Sequence, residues 1–304
     1  MNKIIRFYNQ NRAMFWIIVV SIIAIIALIQ TLNSYYKENK NISSDTTSTT
    51  TYNAIQTPAI TGGKVSESTT NNTTKIINDF INYCNNKDFE KAYEFLSNDC
   101  KEQEYPNLEK FIKNYGNMIF SEYRIYSIKA WITSKNKITY RVTFTEDILA
   151  TGNSQELSIE DYYTLVKENG EYKLNIHNYV GKQEINANKT EKNISFNVME
   201  KYVYMEYEIF KIRVKNESDK KIMIDSREGT KNINIIDQNK AKYIAFLNEI
   251  NSNDLIIYPG MTKELNIKFN KSYNPEYVEK YMQFSDIVLD TENKENKAEI
   301  KVEL

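Results

Sequence analysis

Residues 161–179 read DYYTLVKENGEYKLNIHNY, and the alternation within this stretch decides the fold. Tyr163 and Leu165 alternate with polar neighbours, as do Tyr172, Leu174 and Ile176, and Glu168-Asn169-Gly170-Glu171 stands between the two runs. A period of two around an Asn-Gly centre predicts an antiparallel hairpin with one buried face. Toward the N-terminus the pattern repeats in Ile138/Tyr140/Val142/Phe144 against Thr139/Arg141/Thr143/Thr145, and again in Tyr126/Ile128/Ala130/Ile132, so 122–180 reads as strands. Further upstream the period changes. Ile77/Phe80/Ile81/Cys84, Phe89/Ala92/Tyr93/Leu96 and Leu108/Phe111/Ile112/Tyr115 recur at helical spacing, predicting three amphipathic helices. Asp88 and Asn107 are the expected caps, and Gly116 the expected left-handed stop.

Helices opening with IINDFINYCNNKDFEKAYEFLS and strands ending in the hairpin above resemble the nuclear transport factor two and ketosteroid isomerase superfamily. The resemblance implies a cone-shaped α+β domain over 74–182. That fold hosts enzymes, binding modules and assembly factors alike, so it implies no activity by itself. Isomerases of this type need a carboxylate base inside the cone and Tyr or protonated acid donors beside it. The inward strand positions offer Tyr140 and Tyr163, whereas Glu146, Asp147, Glu160 and Asp161 fall at strand ends, so the catalytic pattern does not transfer. Trp131, Tyr140 and Tyr163 are the candidates for lining a small apolar pocket.

Gly181 to Asn193, GKQEINANKTEKN, is polar and charged, and 183–193 reads as a linker. Beyond it, 194–304 carries short alternating runs separated by turn signals, which predicts a β-sandwich. Asn274-Pro275 ahead of Glu276–Tyr281 suggests one short helix. The runs IRVKNESDKKIMID, LIIYPGMTKELNIKF and MQFSDIVLD resemble the small immunoglobulin-like sandwiches of secreted and lipid-anchored proteins of Gram-positive bacteria. In EKYVYMEYEIF, Tyr202, Tyr204 and Tyr207 form a group suited to contact a protein or glycan.

Ala13 to Leu32, AMFWIIVVSIIAIIALIQTL, has no ionisable side chain and is long enough to span a bilayer as a helix. Lys3, Arg6 and Arg12 precede it without an acid, which predicts a cytoplasmic tail over 1–12, a single transmembrane span over 13–32, and a Ser/Thr/Asn-rich tether over 33–73. A cleaved signal peptide is the competing reading. On the first reading the protein is a cell-membrane protein with its domains outside, in contact with lipid and with envelope partners. Thirty-nine basic and 40 acidic residues leave a net charge of -1, which argues against nucleic acid as a partner. Cys84 and Cys100 are expected as two buried, unpaired thiols, with a disulfide between them as the alternative. His177 is the one histidine, expected as structural; no metal-ligand cluster and no cofactor motif is present. Together these features predict a non-enzymatic membrane-anchored scaffold or assembly protein, with a place in a secretion or conjugation machine. The alternative is a cell-envelope binder or sensor of a lipid, glycan or peptidoglycan fragment. Homo-oligomerisation is compatible with either.

Overall fold

The computed structural model describes residues 66–134, 136–146, 158–228 and 233–304. All of them belong to one compact unit, Asn53–Leu304. Helix α1 (Glu67–Asn85) begins upstream of the expected Thr74 because Ser66 accepts the Thr69 N–H at 3.2 Å and caps it. The first turns hold Thr70, Thr73 and Thr74, which have no apolar period yet are buried. Thr73 and Thr74 hide their hydroxyls by bonding them back to the helix carbonyls of Thr69 and Thr70, at 2.8 and 2.7 Å. Thr73 also meets the Tyr140 hydroxyl at 2.7 Å, tying the helix to the sheet.

Three shorter helices follow: α2 (Phe89–Glu94) capped by Asp88, α3 (Asn98–Gln103) capped by Ser97, and α4 (Leu108–Phe111) capped by Asn107. Helix α4 runs on through a π-helical turn, Ile112–Gly116. Gly116 is therefore helical, with φ of -51°, instead of a left-handed stop. Its missing side chain makes room for the Phe89 ring, whose Cε1 lies 2.8 Å from where a Cβ would be.

The helices cover one face of a four-stranded antiparallel sheet ordered β1 (Arg124–Thr133), β2 (Lys137–Glu146), β3 (Ser158–Glu168), β4 (Glu171–Asn175). Asn169 and Gly170, at φ of 50° and 88°, form the tight turn between β3 and β4. Ile77, Phe80, Ile81 and Phe111 from the helices interleave with Tyr140, Phe144, Tyr163 and Leu165 from the sheet.

Strand β5 (Tyr179–Glu191) follows β4 in the chain but belongs to the next sheet. The side chain of Tyr179 is still in the first core, while the strand pairs with β6 (Ile194–Tyr204) from Tyr179 to Glu191. Most of the expected linker is thus a strand, and Lys192-Asn193, at φ of 53° and 56°, is its hairpin turn. The second sheet has ten strands. Strand β6 pairs with β7 (Glu208–Asn216), and β7 with β12 (Thr262–Phe269). Only Ala245 and Phe246 of β10 (Lys242–Phe246) bond to β12, and at this corner the sheet folds over. It continues through β9 (Ile233–Asp237), β13 (Glu279–Val288) and β14 (Lys297–Glu303), with the short β8 (Ile222–Met223) and β11 (Ile256–Ile257) alongside. Strand β14 then lies beside β5, enclosing Phe196, Phe210, Phe269 and Phe284.

The expected fold class is corrected accordingly. The described chain is mostly strand, with the helices confined to one layer, and the strand after β4 belongs to a second sheet instead of closing a cone. The nuclear transport factor two-like assignment is not carried further. In place of a separate immunoglobulin-like sandwich there is one folded ten-stranded sheet. The expected helix at 276–281 does not form: Asn274 Oδ1 accepts the Glu276 N–H at 3.0 Å in a turn, and Glu279 already opens β13. Among the described residues no helix is long and apolar enough to cross a membrane. The expected span over 13–32, with Lys3, Arg6 and Arg12, lies outside the described residues. The single-pass, cell-membrane localisation is corrected on the absence of such a helix among the described residues.

Candidate functional site: a cleft floored by four buried charges

Strand β6 begins with Ile194, Phe196 and Val198 facing inward. A bulge between Val198 and Glu200 then reverses the phase, so that Lys201 and Val203 face inward instead. The bulge buries a lysine, and three more charges converge on it: Glu208 at the start of β7, Lys271 just after β12, and Glu279 at the start of β13. Lys201 Nζ lies 3.3 Å from Glu208 Oε2 and 2.8 Å from Glu279 Oε1. Lys271 Nζ lies 2.8 Å from Glu208 Oε1 and 2.6 Å from Glu279 Oε1. None of the four side chains is more than 8% exposed. Each ammonium also faces a ring, Lys201 that of Phe210 and Lys271 that of Tyr243. Burial alone would raise the Glu279 carboxyl, but the two ammoniums overcome it and hold it down at about 2. Burial would likewise lower Lys271, and the two carboxylates hold it above its ordinary value instead.

This quartet floors a cleft of about 530 Å³. One wall is the end of the β1–β2 hairpin, with Ser134, Asn136 and Lys137; the other is the connection 272–278, with Asn274 and Tyr277. Lys137 reaches behind the first wall to donate to the Val180 carbonyl at 3.2 Å. Its Nζ occupies space left by Gly181, which at φ of 139° has backbone that a side chain rarely adopts.

The sequence-derived candidates lie elsewhere. Tyr140 and Tyr163 are cross-strand partners, both fully buried on the helix side of the sheet. Trp131 is on the opposite face, under the Arg141 guanidinium at 4.6 Å and beside Tyr162, so the three share no pocket. Tyr202, Tyr204 and Tyr207 are half-buried or buried against the first core. Tyr204 stacks on Tyr207 at 4.5 Å and donates to Glu104 Oε1 at 2.5 Å, fastening the helical layer to the second sheet. Cys84 and Cys100 are free and buried, and burial keeps both thiols protonated.

A second polar cluster, centred on Asp161, lies inside the first core. Its buried carboxylate accepts the Tyr115 hydroxyl at 2.8 Å and the backbone N–H groups of Tyr162, His177 and Asn178 at 2.7, 3.3 and 3.0 Å. Tyr115 also meets the Tyr163 hydroxyl at 2.6 Å, and Tyr105 meets His177 Nδ1 at 3.1 Å. Burial raises the Asp161 carboxyl, against the bonds it accepts, and raises Tyr115 and Tyr163 far more, so the phenols stay protonated. Asp161 holds His177 and Asn178 in a turn with φ of 60° and 64°. Rings of Phe80, Phe111 and Phe120 surround Tyr115 at 5.8–6.4 Å, filling the space where a substrate would enter. Placing Asp161 at a strand end hid this role. The missed signal is the spacing to His177-Asn178, a pair of residues suited to a left-handed turn that needs buried acceptors.

No family profile and no curated protein matches the chain. One solved structure is similar in part, a conserved hypothetical protein from Bacillus anthracis. The match has 13% identity and a TM-score of 0.25, and covers 33% of this chain and 88% of the other.

Proposed function

We propose that this chain is a non-enzymatic binding protein, a rigid scaffold that presents the cleft between its two sheets to a partner or ligand. The observation that carries this reading is how the acid and base groups are used. Asp161, Tyr115 and Tyr163 are spent on each other and on a backbone turn inside a ring-filled core. The four charges under the cleft are likewise spent on one another. An enzyme's groups face a bound substrate, whereas these hold elements of the fold in place. The expected role in a secretion or conjugation machine, with envelope partners, rested on the membrane placement and is not carried forward.

The test is crosslinking of the full-length chain in its native cells, followed by mass spectrometry. Reproducible neighbours that disappear when cleft-wall residues are changed are the expected result. Recovery of the chain alone, together with a turnover abolished by His177→Ala, would sink the reading.

A further inference from the structure

The connection between β12 and β13 is clamped at both feet. Lys271 and Glu279, 2.6 Å apart, close residues 272–278 into a loop, and the other two charges of the quartet anchor that closure in the second sheet. The loop backbone is braced as well. Tyr273 N–H donates to the Met205 carbonyl at 3.0 Å, Gln238 N–H to the Val278 carbonyl at 3.0 Å, and Gln238 Nε2 to the Glu276 carbonyl at 2.9 Å. Tyr277 N–H donates to the Asn274 carbonyl at 3.1 Å. Burying four charges is a poor way to gain stability, because well-packed apolar residues do as well or better; its gain is a fixed geometry. What is fixed here is a loop that exposes Tyr277 and Val278 at its C-terminal end, 43% and 56% exposed.

The cleft beside this loop has a definite chemical character. Among the described lining residues, Lys137, Lys201 and Lys271 are matched by Glu208, Glu276 and Glu279. This balanced set gives no net field of its own to draw in a phosphate, a nucleotide or a metal cation. The remaining polar lining is neutral and can both donate and accept: Ser134, Asn136, Gln183 and Asn274. Asn136 and Gln183 are exposed, and Tyr277 lines the loop side of the cleft. At about 530 Å³ the space falls in the range of small-molecule sites.

Resting on the reading of the chain as a binding protein, we propose that the cleft between the β1–β2 hairpin and loop 272–278 binds a neutral oligosaccharide, with Tyr277 as the platform for a sugar ring and Asn136, Gln183 and Asn274 bonding its hydroxyls. A sugar presents an apolar C–H face and a rim of hydroxyls. That is the complement of an exposed ring and a set of amides lining one cleft. A preorganised loop also spares the ordering entropy that weak, polar ligands cannot offset.

The experiment is calorimetric titration of the full chain with maltotetraose, cellotetraose and N-acetylchitotetraose, each to about 10 mM, beside an uncharged capped tetrapeptide. One tetrasaccharide is expected to bind saturably. Tyr277→Ala and Asn136→Ala, both at exposed positions, are each expected to weaken it about tenfold. The affinity should change less than about twofold between roughly 50 and 500 mM salt, because no ion pair forms. Silence from all three sugars, binding that ignores both substitutions, or a steep salt dependence overturns the sugar assignment. Saturable binding of the capped peptide in their place also overturns it, yet leaves the binding-protein reading standing. That reading falls only on the crosslinking result.

Discussion

Asp161 in the first core and the quartet in the second bury charge in opposite ways. In the first, a lone carboxylate, Asp161, is satisfied by one phenol and three backbone N–H groups, all of them neutral donors. In the second, two carboxylates and two ammoniums satisfy each other. The first arrangement fixes a turn of adjacent residues, and its effect is local. The second joins β6, β7 and the connection leading into β13, and so determines the shape of a surface loop. Burial of charge thus serves connection in both places, over a short range in one and a long range in the other.

The largest effect should come from breaking the second arrangement on one side only. Lys271→Met leaves two buried carboxylates facing a single lysine and is expected to cost about 3–5 kcal/mol in urea unfolding. Replacing all four charges together by Met and Leu should recover most of that loss, because the apolar version needs no pairing. If the fourfold variant were as unstable as Lys271→Met, the quartet would be a source of stability and not a device for positioning the loop.

The next effect separates Glu279 from Asp161 by pH, with Glu208, beside Glu279, raised by burial as Asp161 is. Glu279 is held at about 2 in the folded chain against an ordinary 4.5, so its contribution is present above 4.5 and lost as pH falls toward 2. The swing is on the order of 3 kcal/mol at most, since the quartet titrates as a coupled set. Asp161 has the reverse sign. Its carboxyl is raised by burial, so its contribution is present below the ordinary 3.8 and declines as pH rises through the folded value. Unfolding of wild type against Glu279→Gln and Asp161→Asn, from about pH 3 to about pH 6, should give differences that move in opposite directions. Two differences moving together would mean that one of the carboxyls is misassigned.

This contrast also explains what was legible in the sequence. The hairpin at 161–179 could be read because its buried face keeps strict alternation and its turn carries Asn169-Gly170, the pair that such a turn demands. Strand β5 could not, because over 182–191 no residue is fully buried and neither face is apolar enough to show a period. The start of α1 was hidden for another reason: its threonines are buried through hydrogen bonds, which hydrophobic periodicity does not register. The quartet was least legible of all. Lys201 enters the core only because a bulge shifts the phase of β6, and its partners lie 7, 70 and 78 residues further along the chain. Tyr202, Tyr204 and Tyr207 looked exposed because the helical layer that covers them comes from a distant stretch of sequence.

A smaller effect is expected at the junction of the cores. Gly181 has φ of 139°, and a Cβ there would stand 2.5 Å from Lys137 Nζ and 3.2 Å from Asn175 Nδ2. Gly181→Ala adds backbone strain and forces the lysine away from the Val180 carbonyl, at a cost of about 2 kcal/mol in urea unfolding. A cost near zero would show that Lys137 can leave its place freely, and that the hairpin wall of the cleft is less firmly held than the loop wall.

The smallest effect concerns the contact that extends α1. Thr73→Val keeps the shape of the side chain but removes the hydroxyl that meets Tyr140 at 2.7 Å and the Thr69 carbonyl at 2.8 Å. The Tyr140 hydroxyl is then left without this partner in a buried place, and a loss of about 1 kcal/mol follows. Amide exchange gives a sharper reading than the global stability. If the hydroxyl bond is what holds the first turns of α1 to the sheet, protection should fall at 70–74 while the turns around Phe80 keep theirs. Uniform loss along the helix would mean that α1 docks as a single unit through its apolar face alone. The threonines would then be passengers on a helix whose length is decided by the Ser66 cap.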